Sequence, residues 1–404
     1  MYKVPQVTES IYYVGVNDRN KPLFENMWSL PHGVSYNSYL IMDEEVVLVD
    51  TVDIAFADVF FHKLESILQG RVIDYLVVNH MEPDHSGAIS LLRQRYPNIK
   101  IVGNKKTMNM LEGYYGIIDN VVEVGNGTAL RTGKHEFSFL MAPMVHWPEV
   151  MFTYEQTDKV LFSADAFGTF GTLDGHVFDR DTNLDHYLSE MYRYYACIVG
   201  KYGNFVQKVL DNIKKMPIEI DYICSTHGVV WTQAHFAEAF TIYDRMSRYE
   251  AEEGAVIIYG SMYGHTEQLA DAIASSIAEG GIREVVCHNV SSTDPSIILR
   301  DIFKYKAVVI GSPTYCNGIF TPIENILNMI RVREVKNRIY SSFGSFSWSG
   351  QAVKKLAPFA EEMHWESVGT AVEMKMAGLD AVLDDAWALG QAVAERLKAD
   401  RINK

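Results

Sequence analysis

Within one six-residue stretch, His80-Met81-Glu82-Pro83-Asp84-His85, the chain places two imidazoles and two carboxylates. Such a density of nitrogen and oxygen donors is what a transition-metal site requires. The stretch follows Val72-Ile73-Asp74-Tyr75-Leu76-Val77-Val78, an apolar, β-branched run that reads as a buried strand. Pro83 cannot continue a ladder and Gly87 permits a sharp turn, so the donors are expected on a loop at the strand's end. A polar turn with two incidental histidines is the plainer reading. Three further stretches argue against it: Phe137 to Val145 ends in His146, Lys159 to Ala164 ends in Asp165, and Ile218 to Cys224 leads to His227-Gly228. Repeated strands that end in His or Asp gather donors at one end of a sheet.

The elements that must hold these residues follow from length and periodicity. At 404 residues the chain exceeds one ordinary core, so two domains are expected, 1–250 and 254–404. Short strands before residue 51, a helix over Ala57 to Leu68 with apolar residues at helical spacing, and a helix from Ser86 to Arg95 flank the first donors. Asp50 is expected to brace the donor loop by hydrogen bonds, and Trp147 to pack beside it. His62, His135, His176, His186 and His235 lack partner spacing and read as surface residues. A net charge of −15 disfavours a nucleic-acid partner. Four scattered cysteines without a C-x-x-C pair speak against a structural zinc site or a disulfide framework. No apolar run reaches about 18 residues, so no membrane span and a cytoplasmic location are expected.

After an acidic helical stretch the pattern restarts. Ala255 to Tyr259 reads as a buried parallel strand, Ser261-Met262-Tyr263-Gly264-His265-Thr266 as a loop, and Glu267 to Ala278 as a helix. Loop amides and hydroxyls at a helix N-terminus make an anion site. Two later strands run into Ser312-Pro313-Thr314-Tyr315-Cys316-Asn317-Gly318 and Gly344-Ser345-Phe346-Ser347-Trp348-Ser349-Gly350. One phosphate loop and two loops rich in aromatics and free amides resemble a flavodoxin that binds FMN, with Tyr315 or Trp348 over the flavin ring.

The motif H-x-E-x-D-H, followed by distant His, Asp and His, resembles the metallo-β-lactamase fold. The zinc hydrolases of that fold carry a histidine where this chain has Glu82. Glutamate there, with a flavodoxin-like second half, is similar to the flavodiiron proteins, and carboxylate oxygen suits iron. The resemblance implies an N-terminal αββα sandwich, a C-terminal doubly wound parallel sheet, FMN and two iron ions. His80, Glu82 and His146 would bind one iron, Asp84 and His227 the other, and Asp165 would bridge them. At His85 the family varies between ligation and water. Tyr195 matches a family tyrosine near the open iron positions, and His32 is a further candidate to reach the pocket.

The function implied is reduction of O₂ to water or of NO to N₂O, with electrons passing through FMN. Rubredoxin, a reduced deazaflavin (coenzyme F420) or an NAD(P)H-dependent reductase are the candidate donors. A head-to-tail homodimer, or a dimer of dimers, would bring one subunit's FMN to the other's iron. The alternatives are a zinc hydrolase fused to a flavodoxin, which Glu82 opposes, and an electron carrier with a vestigial metal site, which a complete ligand set opposes.

Overall fold

A computed structural model describes residues 3–402. Contacts divide the chain into two compact units. The first holds the chain up to Tyr195 together with Tyr202–Asp244, and the second holds Ala196–Lys201 together with everything from Arg245 onward. The division thus falls a few residues before the expected 250–254, and one short segment joins the later unit.

The first unit contains two six-stranded mixed sheets. In one, the strands Val47–Val49, Tyr75–Val77, Lys100–Gly103 and Val121–Glu123 run parallel. The first two of these are wholly buried, which is why their sequence is uninterruptedly apolar rather than alternating. The helix Ala57–Leu68 occupies the expected span and buries Phe60, Phe61 and Leu64. The second sheet is antiparallel from Ala129–Arg131 through Val160–Phe162, then gains Tyr222–Cys224 in parallel. Parallel neighbours end on the same side, so the residues after Phe162 and after Cys224 emerge together.

The second unit is a parallel sheet. Glu252–Tyr259 lies between Val285–Asn289 and Tyr305–Tyr315, and Ile339–Phe346 extends it. The helices His265–Glu279 and Leu383–Ile402 cover one face, with Leu269, Ile273, Ile277, Leu389 and Val393 in the core. Arg338 is buried here without a carboxylate, and five backbone carbonyls, including those of Ile302, Phe303 and Tyr249, accept from its guanidinium. No helix among the described residues is long and apolar enough to cross a membrane.

Gly228, directly after the last histidine of the series, adopts φ +76°, and a Cβ there would lie 2.1 Å from Thr169 Oγ1. Gly228→Ala should therefore destabilise the first unit by about 1–3 kcal/mol from backbone strain alone. Thermal or urea unfolding followed by tryptophan fluorescence checks this, and an unchanged midpoint would remove the constraint.

Candidate metal centre

The segment after Tyr75–Val77 is only partly loop. Its second half is a one-turn helix, Pro83–Ser86, with Glu82 at the N-cap and proline at the first helical position. Proline's fixed φ and missing N–H suit that position, so the residue read as a chain-stop in fact starts a helix. The separate helix Ile89–Arg95 then replaces the single helix expected from Ser86. Gly87 is needed at the junction, because a Cβ there would sit 2.6 Å from the Pro83 carbonyl oxygen. Above this turn, Asp50 Oδ1 accepts from the amides of Asn79 (2.8 Å) and His80 (3.3 Å), and Thr51 Oγ1 donates to the His85 carbonyl. The ring of Trp147 lies 5.3 Å from that of His80.

The donors converge in two adjoining clusters, each with its ligand atoms within 4.8 Å of one another: His80, Glu82, His146 and Asp165, and then Asp84, His85 and His227. All seven residues are buried. Glu82 Oε2 lies 3.2 Å from His80 Nε2 and 3.1 Å from His146 Nε2. Asp165 faces both clusters. Its Oδ2 is 2.9 Å from His146 Nε2 and 3.6 Å from His80 Nε2, while its Oδ1 is 3.1 Å from His85 Nε2 and 3.8 Å from His227 Nε2.

Outer partners fix the rings. His227 Nδ1–H donates to the Ser35 carbonyl at 2.7 Å, which leaves Nε2 bare and pointing inward. His80 Nδ1 pairs with Glu149 Oε1 at 2.8 Å, and the same oxygen accepts from the Met81 amide. Sequence reading did not single out Glu149, which sits on the segment after His146 with no periodic signal to mark it.

This arrangement fits a pair of cations. Both oxygens of Asp84 are buried without a hydrogen bond, and His85 Nε2 and His227 Nε2 face each other at 3.1 Å. A buried carboxylate and opposed ring nitrogens are costly unless a positive charge lies among them. Protons can supply some of that charge. Burial disfavours charge on His80 and His146, but the carboxylates of Asp165, Glu149 and Glu82 outweigh it, raising His80 well above its usual value and His146 to about 9.

One face of the centre is an aromatic wall. The rings of Phe24, Tyr36 and Tyr194 lie 5.3, 6.0 and 5.5 Å from that of His227. Tyr194, the residue before the expected Tyr195, is in ring contact with His227. Tyr195 packs edge-on against Tyr243, whose hydroxyl donates to the Asp165 carbonyl at 3.3 Å. Adjacent residues on a helix point about 100° apart, and the turn of π-helix at Tyr195–Val199 sets a phase that sequence spacing does not give. His32 is not among the clustered donors; it lies beside His186, at 4.9 Å between ring centres. His135, read as a surface residue, is buried against Glu155 Oε1 at 2.9 Å.

In the second unit the three strand-end loops enclose a cavity of about 740 Å³, within the usual range for cofactor sites. Ser261, Met262, Tyr263, His265 and Thr266 line it, together with residues 313–317 and 345–349, and Met376 from a fourth segment that sequence reading missed. Gly264, Ser312, Gly318, Gly344 and Gly350 are not among the residues that line it. Gly264 (φ +88°) is the N-cap of His265–Glu279, and its amide donates to Ser261 Oγ. Ser312 Oγ instead accepts from the Phe320 amide. Trp348 and Tyr263 stand at the rim, 91% and 86% exposed, a costly placement for rings with nothing against them.

Comparison with known proteins agrees with both halves. The model described as "ODP family beta lactamase" matches residues 34–228, a span that includes every clustered donor, and the flavodoxin model matches 257–388. A nitric oxide reductase of Moorella thermoacetica is 33% identical over 97% of this chain and 98% of its own length. The chain belongs to the flavodiiron protein family. Among solved structures, rubredoxin:oxygen oxidoreductase from Desulfovibrio gigas superposes with a TM-score of 0.93 at 29% identity, covering 98% of this chain and 99% of that one. The flavodiiron protein of Giardia intestinalis also gives 0.93, at 27% identity, covering 99% and 98%. An anaerobic nitric oxide reductase flavorubredoxin of Escherichia coli is 33% identical over 89% of this chain and 76% of its own length.

Two outcomes follow for a flavodiiron centre built this way. Because His146 holds a proton up to about pH 9 in the empty cluster, Fe²⁺ loading at pH 7 should release protons and tighten as pH rises. Calorimetry in buffers of different ionisation enthalpy measures the release, and buffer-independent heats would contradict it. Glu149→Ala should weaken metal affinity about 10–100-fold, read by chelator competition.

Proposed function

We propose that this flavodiiron protein is an oxidoreductase that reduces O₂ to water, NO to N₂O, or both, at a di-iron centre fed through FMN. The observation that carries the reading is Asp165, whose two carboxylate oxygens face two separate donor clusters. A carboxylate shared in this way holds two cations close together. Glu82 gives that cluster a second carboxylate where the zinc hydrolases of the fold carry a third imidazole, which favours iron over zinc and so disfavours the hydrolase.

His80, Glu82, His146 and Asp165 would hold one iron, and Asp165, Asp84, His85 and His227 the other. Bound there, the irons would supply the reducing chemistry for the gas, while FMN relays the electrons. The chain's own contribution is position, dryness and protons. Glu149 and the Ser35 carbonyl hold two imidazoles in the tautomer that presents Nε2. Phe24, Tyr36 and Tyr194 keep bulk water from the His227 side. Burial, reinforced by Asp165, keeps the Tyr194 phenol protonated, so its hydroxyl is available as a donor toward the centre. Tyr194, in ring contact with His227, is proposed for this donor role beside Tyr195, the residue that the family resemblance implies.

In the second unit the N-terminus of His265–Glu279, with Ser261 and Thr266, would take the FMN phosphate. Tyr315 and Trp348 would flank the ring. The exposure of Trp348 and Tyr263 supports a homodimer in which a partner subunit covers the flavin. A rubredoxin-type protein is the donor favoured by the relatives' names, flavorubredoxin and rubredoxin:oxygen oxidoreductase.

Anaerobic stopped-flow of iron- and FMN-quantified protein, reduced and mixed separately with O₂ and with NO, tests the function. Fast reoxidation is expected with at least one gas, and the faster one names the physiological substrate. Slow reoxidation by both, with zinc in the site, would return the hydrolase reading. Asp165→Ala should lower iron occupancy and abolish turnover while FMN stays bound. Tyr194→Phe should keep iron and FMN but slow gas reduction about 100-fold, the lower end of the range for a positioned proton donor. Full activity in that variant would remove Tyr194 from the mechanism.

A further inference from the structure

Outside the metal centre the first unit has a polar cavity of about 590 Å³, lined by Arg19, His32, Asp174, Asp181 and His186 among others. We propose that His32 and His186 form a separate site for a borderline divalent cation of the Zn²⁺ or Cu²⁺ type.

The two imidazoles come from segments far apart in the chain, yet their rings meet edge to face at 4.9 Å between centres. Backbone pairing brings them together. The Gly171 amide donates to the Gly33 carbonyl and the Thr172 amide to the His32 carbonyl, both at 3.0 Å. Gly171 (φ +98°) leaves space for His186, whose Nε2 lies 3.2 Å from where a Cβ would stand. His186 itself sits in the first turn of the helix Leu184–Tyr194, so both rings hang on fixed backbone rather than on a free loop.

Neither ring has a hydrogen-bond partner among the described residues, in contrast to His80, His135 and His227, each held by an acceptor. Two adjacent imidazoles without acceptors offer nitrogen lone pairs to an ion of intermediate softness. The surrounding charge favours a cation over an anion. The cavity's arginine, Arg19, is already paired with Asp174 at 2.6 Å, and Asp181, 3.8 Å from Arg180 Nε outside the lining, adds a second carboxylate. Burial lowers the affinity of His186 for a proton, and with His32 beside it outweighs the opposing pull of Glu190, so the ring is free to ligate near neutral pH. Magnesium and calcium, which prefer oxygen ligands, are the wrong class for this pair.

The test is titration of the iron- and FMN-loaded full chain with Zn²⁺ by calorimetry, with iron assayed afterwards to exclude displacement. One saturable site per chain in the micromolar range is expected, weakened about tenfold or more in both His32→Gln and His186→Gln. His32 is exposed, so its variant should fold even if the other does not. Cu²⁺ electron paramagnetic resonance should show hyperfine coupling to two equivalent-type nitrogens in the parent chain and to fewer in each variant. Absence of a saturable site without loss of iron would overturn the proposal, as would binding and spectra unchanged in both variants.

Discussion

Everything in the first unit depends on keeping three carboxylates and four imidazoles together away from water. Glu82, Asp84 and Asp165 would repel one another in a dry pocket, and the rings that separate them cannot all present lone pairs inward without positive charge among them. Protons can supply that charge, and so can metal ions. The surrounding structure acts on this balance by removing freedom. Asp50 ties down the donor turn, Glu149 and Ser35 orient rings, and the Tyr243 hydroxyl pins the Asp165 backbone. None of these residues need touch a metal, yet each narrows the geometry the ligands can take.

The architecture accounts for how such distant residues meet. The donors lie beyond strand ends of both sheets, on turns rather than in the sheet interior, where side chains are committed to the core. Tight turns bring them inward, and their backbone accommodates that: Pro83 opens a helical turn, while Gly87 and Gly228 stand where a Cβ would collide with neighbouring atoms. In the second unit the same logic serves a different ligand. Strand-end loops leave amides, hydroxyls and aromatic rings around one cavity, and the sheet below is packed with apolar side chains. The two units therefore build a buried donor cluster and a strand-end cavity with one device.

The first helix of the metal unit, Ala57–Leu68, was legible to the residue because its periodicity, length and burial agree. All seven donors were legible too, since a buried β-branched run that stops at His, Glu or Asp delivers those side chains to the end of a sheet, where a ligand can reach them. The restart of the strand–loop–helix pattern after residue 254 gave the order of the two halves, and the family resemblance implied their fold classes. Sequence was weaker where no pattern exists. The residues 83–86 read as loop because proline ends more elements than it starts. His135 read as a surface residue because its acceptor, Glu155, lies on a neighbouring strand.

Residue chemistry and local periodicity, then, determined which side chains could bind metal or flavin and which elements carry them, because donor type and strand or helix period are written in adjacent positions. Tertiary structure decided what no local pattern encodes. It set the approach of the Tyr194 ring to His227 and the pairing that takes His32 to His186. It also brought Glu149 behind His80 and let Asp165 look both ways. Each of these is a matter of angle or long-range packing, fixed only when the sheets and helices close around one another.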